Sequence, residues 1–114
     1  MIAAALVALT ATSCAPADPL PYTGVNIAGG EFYEPRPDTR PKHGTNFVYP
    51  SEQEIAYFAS RGMNVFRYPF RWETLQAKLG EPLVVEEAAR LKECVSLATS
   101  RGCVVILDPH NYAR

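Results

Sequence analysis

CVVILDPHNYAR, residues 103–114, sets four apolar residues, Val104, Val105, Ile106 and Leu107, between a cysteine and an aspartate. A run of that length without a polar interruption predicts a strand buried on both faces, as in parallel sheets covered by helices. It ends in Asp108-Pro109-His110-Asn111-Tyr112, where a purely structural strand would end in a plain turn. Proline removes a ladder donor and fixes the chain, so His110 and Asn111 are presented at the strand's carboxyl end. In parallel α/β folds that end is where ligands bind.

Upstream of this strand, residues 84–101 carry Ala88, Leu91, Val95 and Ala98 at helical spacing, with Gly102 as the stop. Further back, Asn64 to Phe70 reads as a second strand that ends in proline, Pro69, followed by a short turn or helix at Trp72-Glu73-Thr74-Leu75-Gln76. Before it, Ser51-Glu52-Gln53-Glu54 is a capping box that opens a helix with Ile55, Phe58 and Ala59 on one face and Gly62 at its end. Val25 and Ile27 alternate around Asn26 in a first strand within Tyr22 to Gly30. The order β, α, β, α, β is the pattern of a parallel sheet with right-handed crossovers. Ser60-Arg61-Gly62 and Ser100-Arg101-Gly102 repeat at the two helix ends, each before a strand that reaches a proline, Pro69 or Pro109. An αβ unit used twice suits a (β/α)₈ barrel. A doubly wound nucleotide-binding sheet fits less well, because Gly29-Gly30 leads into prolines rather than into a helix. A whole barrel takes about 250 residues, so the expectation is an α/β chain forming the N-terminal βαβαβ portion of a (β/α)₈ TIM barrel, its first three strands.

Glu31 to Pro50 lacks an obvious element, yet holds Phe32, Tyr33, Phe47 and Tyr49. Loops of this length are usually functional or disordered; the aromatics favour an ordered loop over the sheet end, the alternative being a solvated loop. Residues 1–15 read as a signal peptide. Ile2 to Leu9 is apolar but well short of the ~18 residues that span a bilayer, and Ser13-Cys14-Ala15 offers a cleavage site. Ala11-Thr12-Ser13-Cys14 is alternatively a lipoprotein box with Cys14 lipidated. Either version predicts an exported protein, secreted, periplasmic or anchored at the outer surface, with membrane contact only through a lipidated Cys14. Residues 16–21 form a linker and residues 22–114 the barrel portion, truncated after the third strand.

The 114 residues carry a formal net charge of −1, with Lys and Arg scattered. That excludes nucleic-acid binding through phosphate neutralisation, which needs a basic stripe. Three cysteines do not make a disulfide scaffold, and Cys94 and Cys103 read as two small buried hydrophobes. No second His or Cys stands at ligand spacing from His110, so neither a metal nor another cofactor is expected.

Arg67 lies within an apolar strand, costly unless something anionic meets it; it either reaches solvent at an edge or holds a carboxylate ionised. His110 can donate, accept or ligate, and a lone strand-end histidine also serves structure. Asn111 either fixes a sugar hydroxyl, orients a neighbour or is a turn residue. Trp72, Phe70 and Tyr112 could stack on sugar rings or fill a core.

Together, GVNIAGGEF, GMNVFRYPFRWETLQ and VVILDPHNYAR resemble the first three strand segments of the family-five glycoside hydrolases, the cellulase or endoglucanase type. The resemblance covers nearly everything from Gly24 onward. It implies a retaining endo-β-1,4-glucanase whose acid/base and nucleophile glutamates stand at the fourth and seventh strands, beyond Arg114. Arg67 matches the arginine that hydrogen-bonds the nucleophile, and His110 the histidine lining the subsite at the cleaved bond; Asn111 accompanies it. Trp72, Tyr112 or Glu31 would touch a β-glucan substrate, and Asp108 would support the site. The expected protein is a monomer when complete, and the 114-residue segment inactive by itself. A non-catalytic carbohydrate-binding barrel, or a family-five enzyme for another sugar such as mannan, is the alternative.

Overall fold

The computed structural model describes residues 19–34, 36 and 39–111. The expected signal segment, Cys14 and Tyr112 fall outside the described residues. Among the described residues the elements run β1 (Gly24–Asn26), α1 (Glu52–Ser60), β2 (Val65–Phe70), α2 (Trp72–Leu75), α3 (Val85–Thr99) and β3 (Val104–Pro109). The strands form one sheet in the order β1-β2-β3, and both pairings are parallel. This is the βαβαβ order the hydrophobic patterning predicts.

Helix α1 starts where its capping box says. The Ser51 hydroxyl accepts the Glu54 amide at 3.3 Å, while a Glu54 carboxylate oxygen accepts the Ser51 amide at 2.8 Å. Both Ser-Arg-Gly repeats are the same stop signal. After α1, the Gly62 amide donates to Ala59 and the Met63 amide to Phe58; after α3, Gly102 donates to Thr99 and Cys103 to Ala98. This is a Schellman closure, and it needs the left-handed backbone of Gly62 (φ 84°) and Gly102 (φ 76°).

Alternation along the strands sends Ile27, Phe66 and Tyr68 to one face of the sheet, where they meet Ile55 of α1 and Cys94 and Ala98 of α3. Ile55, Phe66 and Ala98 are wholly buried, each large side chain worth about 1.5–3 kcal/mol relative to exposure. The buried stripe of α3 is Leu91, Cys94 and Ala98, with Val95 and Ala88 only half-buried beside it. Cys94 therefore takes the central place that Val95 has in the sequence reading, because 91, 94 and 98 follow the helical repeat more closely. Cys94 and Cys103 are free and buried, as expected of small apolar fillers. Burial pushes the Cys94 thiol up to about 12.

One expectation is overturned. Strand β3 is not buried on both faces: Val104, Ile106 and Leu107 are 46%, 50% and 45% exposed. It pairs with β2 along one side only, and the helices cover a single face of the sheet, so only Val105 of the run packs into the core. Nor does β2 stop at its proline; it continues to Phe70, which pairs with Pro109. Because the Ile27 amide donates to the Arg67 carbonyl at 3.0 Å, alternation turns the main chain of Pro69 toward β1 as well. There the missing N–H does no harm, since β1 ends at Asn26. The next pairing, Gly30 with Phe70, follows after one residue more on the β1 side than on β2.

The long segment after β1 is ordered by rings. Phe47 is buried, its centroid 6.0 Å from Tyr33, 5.5 Å from His43 and 5.6 Å from Tyr49. The Tyr33 hydroxyl meets the Thr74 hydroxyl at 2.9 Å, and the buried Arg71 donates from Nε to the Glu31 carbonyl at 3.2 Å. These bonds lay the loop beside the carboxyl end of β2, as the aromatic content predicts.

Candidate active site

The same alternation that buries Phe66 and Tyr68 turns Asn26, Arg67, Ile106 and Asp108 to the opposite, open face. Their polar members converge. Arg67 Nη1 donates to Asn26 Oδ1 at 2.6 Å, and Arg67 Nη2 forms an ion pair with Asp108 Oδ2. His110 Nδ1 stands 2.9 Å from that same oxygen and 3.2 Å from Arg67 Nη2. One strand on either side thus grips the guanidinium. Its charge, which the strand's apolar neighbours could not compensate, is balanced by Asp108. A guanidinium carries five N–H donors, so two spent on Asn26 and Asp108 leave capacity for an anion or hydroxyl group on the open face.

Of the residues expected at a site, Arg67 and His110 come together. Asn111 sits beside them but works on protein: its Oδ1 accepts the Trp72 amide at 2.9 Å and its Nδ2 donates to Glu73 at 2.6 Å. The Trp72 ring is partly exposed, and its Nε1 donates to Gln76 Oε1 at 2.9 Å. With Pro109, Leu79 and Asn111 these residues line a cavity of about 410 Å³ next to the strand ends. Glu31 is 5% exposed, and its carboxylate accepts the Gly29 amide at 2.9 Å, so it shapes the glycine turn. Among the described residues no group of three or more His, Cys, Asp or Glu could hold a metal ion. No helix among them is long and apolar enough to cross a membrane.

Sequence reasoning gave Asn26 no role and Asp108 only a supporting one. Both were findable: Asn26 interrupts an apolar alternation, and Asp108 and His110 stand two apart at a strand end, the spacing that puts side chains on one face of an extended chain.

Residues 23–114 match the family model described as cellulase (glycosyl hydrolase family 5). The endo-beta-1,4-glucanase A of Emericella nidulans is 37% identical over 95 residues, covering 82% of this chain and 28% of the relative. Among solved structures, an endo-beta-1,4-glucanase of Xanthomonas axonopodis pv. citri superposes with a TM-score of 0.76 at 36% identity, over 83% of this chain and 30% of that one. The Pseudomonas stutzeri endoglucanase Cel5A in complex with cellobiose gives 0.70 at 40% identity, over 80% and 27%. The chain spans less than a third of the length of each of these relatives.

Proposed function

Because this chain belongs to glycosyl hydrolase family 5, we propose that its βαβαβ sheet is one wall of the cleft of a retaining endo-β-1,4-glucanase that hydrolyses β-1,4-glucan. The fold is the N-terminal portion of the (β/α)₈ barrel of its structural neighbours. The observation that carries the reading is that Arg67 of β2 meets Asp108 and His110 at the carboxyl end of β3, the end at which such barrels act. Retaining hydrolysis uses two carboxyl groups about 5–5.5 Å apart, one protonating the leaving oxygen and one attacking the anomeric carbon. Arg67 would hold the attacking carboxylate ionised, since a nearby cation favours the charged form. His110 would line the subsite at the cleaved bond.

Three carboxylates among the described residues at this end are engaged by protein groups. Asp108 serves Arg67 and His110, Glu73 serves Asn111, and Glu31 serves the Gly29 amide. The 114-residue chain by itself is therefore expected to leave β-glucan intact. Export fits a polymeric substrate, and the apolar run Ile2 to Leu9 with Ser13-Cys14-Ala15 after it supports that part of the proposal.

The test is to exchange residues 23–111 for the matching segment of the Xanthomonas endoglucanase. A folded chimera should cleave cellopentaose with retention, read from the anomer first released. A folded chimera without activity, or turnover by the 114-residue chain alone, would overturn the proposal.

A further inference from the structure

We propose that Phe32 is a platform on which a glucose residue of the bound glucan stacks, in a sugar-binding pocket built by the loop after β1. The proposal deepens the reading of the site as a glucan cleft and rests on it for the identity of the sugar.

Phe32 is 68% exposed, yet its two neighbours in sequence are fastened to the protein. Glu31 is buried, and its carboxylate accepts the Gly29 amide at 2.9 Å. The Glu31 carbonyl accepts both the Tyr33 amide, at 2.9 Å, and Arg71 Nε, at 3.2 Å. The first of these two bonds closes a three-residue γ-turn with Phe32 at its centre. Tyr33 sets its ring 6.0 Å from that of Phe47 and joins hydroxyls with Thr74 of α2 at 2.9 Å. A single exposed apolar side chain is ordinary on a protein surface. A phenyl ring mounted on a turn so fixed is not, because the backbone denies it the freedom to fold back onto apolar cover.

Phe32 and Tyr33 line a cavity of about 360 Å³ together with Arg36, Thr39, Thr45 and Asn46, within the range of about 300–1,000 Å³ of small-ligand pockets. The lining has two kinds of chemistry. The rings supply flat apolar faces, whereas the guanidinium, hydroxyls and amide supply donors and acceptors. Asn46 gives its Oδ1 to the Lys42 amide at 2.8 Å, which leaves the Nδ2 hydrogens for a ligand. A β-linked glucose residue has the complementary form. Its hydroxyls are equatorial and point outward from the rim, so C–H groups cover both faces of the ring. Such a face packs on an aromatic side chain while the rim takes hydrogen bonds. The loop is held by Arg71 and Thr74 beside the carboxyl end of β2, at the same end of the sheet as Asp108 and His110. A platform fixed before the sugar arrives also spares the cost of ordering it on binding.

The experiment measures binding by calorimetry in the chimera of residues 23–111 with the Xanthomonas barrel. The probe is a thio-linked cellopentaose, which resists cleavage. Phe32→Ala should weaken binding about tenfold, the worth of one good aromatic contact, and Phe32→Trp should restore it. Tyr57→Ala, which removes an exposed ring from α1, should bind as the parent does. A dissociation constant for Phe32→Ala within about twofold of the parent, or an equal loss in Phe32→Trp or Tyr57→Ala, overturns the proposal. A folded parent chimera that binds no oligosaccharide overturns it too. A chimera that binds through Phe32 but leaves cellopentaose intact overturns the glucanase reading alone.

Discussion

Asn111 Oδ1 accepts the main-chain amide of Trp72 at 2.9 Å, so a residue two positions past the end of β3 caps the helix that follows β2. Helix α2 has no cap of its own, because the Arg71 side chain makes no capping bond, and the first amides of any helix need an outside acceptor. Asn111→Ala should therefore lower stability by about 1 kcal/mol, the usual cost of a lost N-cap. An unchanged urea midpoint would show that the bond carries no weight.

Arg67 is gripped from both neighbouring strands, and its removal should be felt in catalysis more than in folding. In the folded chimera, Arg67→Ala is expected to cut kcat by two orders of magnitude or more, about the loss seen when one preorganised donor is removed from a reacting charge. Arg67→Lys should recover only part, since an ammonium cannot span Asn26 and Asp108 in one plane. A kcat within a factor of about three of the parent would remove Arg67 from the reaction.

Nothing lies within 4 Å of a Cβ built on Gly62 or Gly102, so substitution there tests backbone conformation alone. Alanine at either position should cost about 1–2 kcal/mol for the left-handed geometry, and asparagine less. The two sites are separate closures, so their effects on the denaturation midpoint should add. A neutral Gly62→Ala or Gly102→Ala would mean that the closure does not hold the helix end.

The capping box of α1 should give stability an acid-sensitive component. Hydrogen bonds from the Ser51 amide and hydroxyl lower the Glu54 carboxyl below its ordinary value of 4.5. The folded state therefore binds that proton less readily than the unfolded chain. The contribution is complete above the ordinary glutamate value and is lost as the pH falls through the lowered one. Ser51→Ala should cost about 1 kcal/mol at neutral pH, with a deficit that shrinks in acid. Denaturation at several pH values checks this; a deficit that grows as the pH falls contradicts the assignment.

Much of the architecture was legible because the signals were local. The box at Ser51 and Glu54, the stops at Gly62 and Gly102 and the apolar alternation around Asn26 each act within a few residues. The parallel order follows from them. What the sequence did not disclose was pairwise and distant. Residue 67 meets residue 26 on one side and 108 on the other, and only the register joins them. Arg67 reads in the sequence as a cation that holds a carboxylate ionised, and the carboxylate that the structure sets against it is Asp108 of the neighbouring strand. The burial of β3 was misjudged for the same reason. Hydrophobicity tells which residues are suited to an interior, whereas cover for Ile106 and Leu107 depends on what stands beside them.

Pro69 gives the shortest strand a form of proofreading. Three residues, Gly24–Asn26, hold little side-chain information with which to choose a place on β2. Sliding two residues along would ask Pro69 for a hydrogen bond that it has no proton to give, and the orphaned carbonyl would cost about 1–3 kcal/mol if buried. A sheet slipped in this way would thus lose a rung of its ladder for want of a single hydrogen atom.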